Sequence, residues 1–78
     1  MIFYPNPASE VLNIELNGAS EGSLKLNNIL GQTLISDVFS SAKSIVKINW
    51  DISHLSKGIY CLEFETSKGK ITRKVIIF

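Results

Sequence analysis

The residue types that could support catalysis lie in one short segment of this 78-residue chain. His54 is the only histidine, and Asp51 and Ser53 lie within three positions of it, so the side chains of a hydrolytic triad are nominally present. Triad side chains normally converge from separate elements on an oxyanion hole, and the sequence has no nucleophile elbow or glycine-rich loop. Aspartate and serine in such a position usually bond backbone amides of their own turn. We therefore predict a structured turn here and no enzyme.

Cys61 is the only cysteine, which excludes an internal disulfide and any cysteine-based zinc motif. The neighbouring sequence has no base that would activate the thiol of Cys61. We therefore expect Cys61 to behave as a small apolar residue within a strand. The acidic residues do not follow the alternate spacing of a calcium loop. We expect no metal and no cofactor.

Three aromatic side chains raise the alternative of a sugar-binding platform, because aromatic rings stack on sugars. In so small a protein, aromatic rings more often fill the core, and we favour packing over sugar binding. The three residues are Tyr4, Phe39 and Trp50.

The composition is that of one globular domain over residues 1–78, with 45% hydrophobic and 19% charged residues. Eight basic and seven acidic residues give a net charge of +1 without a basic cluster, so no nucleic-acid partner is expected. The start has neither the basic and apolar stretches of a signal peptide nor a bilayer-spanning run. We expect the chain to be a piece of a longer precursor whose own N-terminus carries an export signal.

Apolar residues recur at every second position, as at Leu12, Ile14 and Leu16, which is typical of half-buried strands. Prolines at positions 5 and 7 would end a further short strand at Ile2 to Tyr4. Turn residues such as Asn17-Gly18 separate the runs and predict antiparallel neighbours. The fold class predicted is an all-β, immunoglobulin-like antiparallel β-sandwich of about seven strands. The six longer strands begin at or near positions 12, 23, 32, 44, 58 and 70, and mobile loops are expected at Gly18 to Gly22 and at Ser40 and Ser41.

Alternation also predicts which side chains face the core. The end of the chain, Val75 to Phe78, breaks the alternation, so either both faces of this strand are covered, which we favour, or one face is exposed. Tyr60 follows Gly58 out of a turn, and its hydroxyl could reach back to that turn, as in the tyrosine corner of immunoglobulin-like sandwiches. Inward positions are expected at Leu24, Leu26, Val46, Ile48, Tyr60, Leu62 and Phe64.

Four stretches together resemble the type A C-terminal sorting domains of the type IX secretion system of Bacteroidota. Tyr4 to Ser9, with its Pro-Asn-Pro corner, looks like the opening motif of that family, and Asn28 to Gln32 is similar to its middle hairpin. Asp51 to Tyr60 resembles its most recognisable stretch, and Lys74 to Phe78 its basic and apolar ending. The order and spacing are more specific than any one motif, and the resemblance covers essentially the whole chain.

The resemblance implies a sorting signal attached to an N-terminal cargo domain. Such a signal is recognised in the periplasm by the secretion machinery and directs the cargo across the outer membrane. A surface sortase then removes it, and the cargo is anchored to lipopolysaccharide or released. The sorting domain is the substrate of the sortase and has no small-molecule substrate. We expect recognition through Pro5, Asn6, Pro7, Gly58, Tyr60, Lys74, Val75, Ile76, Ile77 and Phe78.

The apolar end of the chain suggests how the domain could dock, and its strand pattern is also compatible with a second function. The apolar terminus could pair with a partner strand, with Ile77 or Phe78 filling pockets, or it could simply complete the core. The alternative function is an immunoglobulin-like adhesion or carbohydrate-binding module of a surface protein, which would share the strand pattern.

Overall fold

The computed structural model describes residues 1–18, 21–40 and 45–78. All regular elements in these ranges are strands, and the predicted all-β class is confirmed. Within the same residues, no helix is long and apolar enough to cross a membrane. The strands are β1 (Ile2–Tyr4), β2 (Val11–Asn17), β3 (Glu21–Asn27), β4 (Thr33–Ser40), β5 (Ile45–Asp51), β6 (Gly58–Thr66) and β7 (Gly69–Ile77).

The seven strands form two antiparallel sheets, as the immunoglobulin-like sandwich requires. The smaller sheet has the order β1-β2-β5 and the larger one β4-β3-β6-β7. Strand β6 pairs with β7 along its whole length, from Gly58 opposite Ile77 to Thr66 opposite Gly69. Strand β7 is therefore an edge of the larger sheet.

The core lies between the two sheets and is built from alternate positions of the strands, as predicted. Leu12, Ile14 and Leu16 are fully buried on β2, and Leu24 and Leu26 face them from β3. Tyr60 and Leu62 are also buried, while Val46, Ile48 and Phe64 are half-buried and pack against the core. Burial of these side chains is the main stabilising contribution in a fold without a disulfide among the described residues.

The glycines at two turns between strands have positive φ angles. Gly18 follows β2 with φ of 73°, and Gly31 lies in the β3–β4 loop with φ of 83°. Asn28 organises that loop, because its Oδ1 accepts the backbone N–H groups of Leu30 at 2.9 Å and Gln32 at 3.0 Å.

The predicted loops are wrong at Glu21, Gly22 and Ser40, which are strand residues, whereas Gly18 lies in a turn. Glu21 and Gly22 belong to β3 and pair with Ser40 and Phe39 of β4, so Ser40 is a strand residue too. Gly22 is needed for close packing, because a Cβ atom there would lie 2.6 Å from the carbonyl oxygen of Glu65. Residues 19, 20 and 41, and the predicted strand start at 44, lie outside the described residues.

Candidate recognition surface

The His54 segment forms the predicted turn. The Oδ1 atom of Asp51 accepts the Ser53 hydroxyl at 2.6 Å and the Ser53 backbone N–H at 3.0 Å. The hydroxyl bond, followed by the amide bond and the charge of His54, lowers the pKa of Asp51 below its ordinary 3.8. A carboxylate held in this way caps its own turn, and its hydrogen bonds go to Ser53 and not to His54. Across the described residues, no three His, Cys, Asp or Glu side chains group as metal ligands.

The three aromatic residues do not form a common stacking platform. Trp50 and Phe39 are buried in the core, whereas Tyr4 lies at the surface and donates its hydroxyl to Glu15 at 2.6 Å. The ring of Phe39 stacks on Phe64 with centroids 5.9 Å apart. The sugar-binding interpretation thus loses the residues on which it depended, and the preferred packing role is confirmed for Trp50 and Phe39.

Residues 6–8 lie beside the last strand of the chain, which local sequence patterns do not predict. After β1, the Pro-Asn-Pro corner carries the chain from the smaller sheet to the larger one, where Ala8 forms a parallel bridge with Ile77. Ala8 donates its N–H to the carbonyl of Ile76 at 2.8 Å and accepts the N–H of Phe78 at 2.9 Å. The Oδ1 atom of Asn6 accepts the N–H of Ile76 at 3.0 Å. Three hydrogen bonds therefore join the opening motif to the closing motif.

The motif that includes Gly58 and Tyr60 lies on the other side of the same strand. Gly58, with φ of 158°, pairs with Ile77, and Tyr60 pairs with Val75. The Tyr60 hydroxyl donates to the carbonyl of Ser56 at 2.6 Å, so the predicted tyrosine corner is confirmed. The C-terminal half of β7 is thus held between the start of β6 and residues 6–8.

All ten residues that the sequence singled out for recognition are therefore brought together, but they are not equally exposed. Val75, Ile77 and Tyr60 are buried, with Ile77 only 2% exposed, while Phe78 is 65% exposed. Because Ile77 is buried, it cannot fill a pocket of a partner in this fold. The expectation that both faces of the last segment are covered is wrong at Phe78, which is exposed. We call the accessible group the terminal surface: Pro5, Asn6, Pro7, Gly58, Lys74, Ile76 and Phe78.

A shallow depression of about 210 Å³ continues the terminal surface across the outer face of the larger sheet. Ile29 and Ile59 give it apolar walls, Cys61 contributes to the lining, and Lys74 adds a positive charge. Ile29 and Leu30 are each 80% exposed at the tip of the loop that Asn28 organises. A rigid backbone with exposed aliphatic and cationic side chains suits protein recognition better than catalysis.

The chain matches the family described as secretion system C-terminal sorting domain over residues 2–78. This match spans nearly every residue. The chain belongs to the type IX secretion C-terminal sorting domains. No curated protein and no solved structure gives a match. Such a sorting domain is a signal, not a catalyst, and it implies interaction with the type IX machinery, a cargo in cis, and export to the cell surface or beyond.

One buried residue that holds this sorting domain's terminal surface in place could not be predicted from the sequence. Ala8 is 1% exposed and supplies both backbone groups that bond to the last strand. A small apolar residue after a proline gives no periodic signal, so its partner could not be inferred locally. The prolines on either side of Asn6 indicated only that β1 ends and that the chain leaves the smaller sheet there.

Proposed function

We propose that the type IX machinery recognises this sorting domain in its folded state through the terminal surface. The observation that carries the proposal is the convergence of three separated motifs, residues 5–7, Gly58 with Tyr60, and residues 74–78, around one strand end. Residues 6 and 76 are far apart in the sequence and meet only in the folded state. Only the folded domain therefore presents the terminal surface.

The further steps of the proposed pathway concern the fate of the cargo. The domain passes through the periplasm behind its N-terminal cargo, and the machinery moves both across the outer membrane. An outer-membrane sortase then removes the domain, and the cargo is attached to lipopolysaccharide or released. Family membership supports this sequence of events, with the chain as a single sorting unit at residues 1–78.

The test compares export of a fluorescent reporter carrying variants of the exposed positions. Lys74→Glu and Phe78→Ser alter side chains of the terminal surface that are largely outside the core, so the fold should persist. The matched control is Lys47→Glu on β5, which makes the same charge reversal at an exposed position on the other sheet. The proposal predicts less surface reporter for the first two variants and normal export for the control, with circular dichroism confirming folding. Equal export of all three would contradict it.

A further inference from the structure

The backbone of β7 faces away from β6 at alternate residues, and part of that edge is unpaired among the described residues. Ile76 uses both its N–H and its C=O to bond residues 6 and 8, so its peptide groups point away from β6. Peptide groups of an antiparallel strand alternate in direction, hence Lys70, Thr72 and Lys74 point the same way. The Arg73 guanidinium bonds the carbonyl of Thr72 at 2.9 Å, which agrees with that direction. We call Lys70 to Lys74 the open edge.

Three cationic side chains lie along the open edge, and on the neighbouring strand β6 Glu65 lies opposite Lys70 and Glu63 opposite Thr72. Lys70, Arg73 and Lys74 are all exposed, and only Lys70 has an ion pair among the described residues, with Glu63 at 3.4 Å. The side chains at 70, 72 and 74 share the outer face of the sheet, because strand positions alternate. Antiparallel pairing of two copies centred on Thr72 would place Lys70 opposite Lys74 twice. Like charges directly opposite are destabilising, so the edge disfavours a second copy of the chain.

We propose that the open edge binds an extended acidic segment of a partner protein, which adds as a strand to the larger sheet. Acidic residues four positions apart on that segment would lie directly opposite Lys70 and Lys74 on the same face. Backbone bonds to residues 70 and 74 and to the N–H of Thr72 would hold the segment, because the Thr72 carbonyl already accepts the Arg73 guanidinium. The charges would select it. Identifying the partner as a component of the secretion machinery rests on the proposed function, whereas the binding itself does not.

The extent of the site follows from what already occupies the rest of β7. Residues 6–8 are bonded along Ile76 to Phe78, so an incoming strand has the five residues from Lys70 to Lys74. A contact of this size is small compared with a stable protein interface, and its charges are exposed. Binding is therefore transient and weakens as salt screens the lysines.

The other edge of the larger sheet, strand β4, is less suited to such a partner. There, the indole N–H of Trp50 on β5 donates to the Asp37 carboxylate on β4 at 2.5 Å, which links the two sheets. The negative charge of Asp37 would also repel an acidic segment. The charge and the free backbone coincide at β7 alone among the described edges of the larger sheet.

The test measures binding of a synthetic peptide to the purified domain by NMR chemical-shift perturbation. The probe has about nine residues, with glutamate at its third and seventh positions and threonine or valine elsewhere; the control peptide has lysine at those two positions. Thr72→Pro removes an N–H that points away from β6, a position that an edge strand tolerates. Thr72→Val is its matched control, because it changes the side chain and keeps the N–H.

We expect the glutamate peptide to shift the amide signals of residues 70–74 and the lysine peptide to leave them unchanged. Thr72→Pro and the double variant Lys70→Glu with Lys74→Glu should each weaken binding at least about tenfold, and the double variant should instead bind the lysine peptide. Thr72→Val and Lys57→Glu, whose charge lies outside the open edge, should bind as the unaltered domain does.

Unchanged binding in Thr72→Pro, or no binding of the glutamate peptide by the unaltered domain, would overturn the proposal. Reporter export in a type IX-competent bacterium separates this failure from that of the proposed function. If the unaltered domain is exported and Thr72→Pro is exported equally well, the open edge is not used and the sorting role stands. If Thr72→Pro alone is retained in the periplasm, the open edge is part of the recognition site.

Discussion

Two side chains hold the terminal surface together through single hydrogen bonds to backbone groups. Tyr60 ties β6 to the preceding turn, and Asn6 ties the opening corner to the last strand. A hydrogen bond of this kind stabilises a protein by about 1 kcal/mol net, and removing one partner leaves the other unsatisfied. Each bond can therefore be tested by a single substitution.

Tyr60→Phe should lower the free energy of unfolding by about 1 kcal/mol, because the ring still packs in the core but the Ser56 carbonyl loses its donor. Urea denaturation followed by tryptophan fluorescence would measure the change. Tyr4→Phe is the matched control: it also removes one hydroxyl bond, to Glu15, but at an exposed site, and should cost less than about 0.5 kcal/mol. Equal effects of the two substitutions would argue against the role given to the tyrosine corner.

Asn6→Ala should release the N–H of Ile76, whereas Asn6→Asp keeps an acceptor oxygen at the same place. We expect a loss of about 0.5–1 kcal/mol for alanine and a smaller loss for aspartate. Hydrogen exchange of the Ile76 amide should accelerate in the alanine variant. Unchanged protection of that amide in Asn6→Ala would show that the corner is held in another way.

Ser53→Ala should raise the pKa of Asp51 back toward 3.8, because the hydroxyl bond is the largest cause of its lowering. The pKa of Asp51 is lower in the folded state, so the stabilisation is present above pH 4 and is lost as the pH falls through the folded pKa. Carbon-13 NMR titration of the Asp51 carboxyl group would report both values. A lower pKa in the variant than in the unaltered protein would contradict this assignment.

At the scale of elements, β7 has a structural face and an exposed face, and the two can be separated experimentally. Ile77→Ala removes a side chain that is 2% exposed and should cost about 3 kcal/mol, whereas Phe78→Ala should change stability by less than about 0.5 kcal/mol. Thermal unfolding would compare them. Similar melting temperatures for both variants would contradict the burial of Ile77 between the sheets.

The strands were predictable from the sequence because most carry a period-two pattern and end at a turn residue or a proline. Leu24 with Leu26 and Tyr60 with Leu62 face inward as their spacing predicts, and Asn17-Gly18 forms a turn. The tyrosine corner was also predictable, since a glycine followed by a tyrosine two positions later at a strand start limits where the hydroxyl can reach.

Long-range pairing and close packing were not predictable. The parallel bridge between Ala8 and Ile77 joins residues 69 positions apart in the sequence, and neither residue carries a local signal for it. Gly22 was expected in a loop, because glycine usually interrupts a strand, yet the backbone of Glu65 leaves no room for a larger residue there. The exposure of the Phe78 side chain was not predictable either, because it depends on the long-range contact of residues 6–8 with the end of β7.

At the scale of the whole molecule, residues 2–8 close one side of the sandwich by joining both sheets in turn. Strand β1 pairs with β2 in the smaller sheet, and Ala8 then pairs with β7 in the larger one. This closure places residues 6–8 beside the end of β7, whereas Ile2 lies opposite Glu15, toward the other end of the sandwich.

The most direct measurement fuses residues 1–78 behind an exported fluorescent reporter and compares a type IX-competent bacterium with a strain lacking the machinery. Protease accessibility of the reporter on intact cells would give its surface fraction. We predict surface or extracellular reporter in the competent strain only, trimmed of the sorting domain. Folded reporter trapped in the periplasm of both strains would contradict a sorting function for this chain.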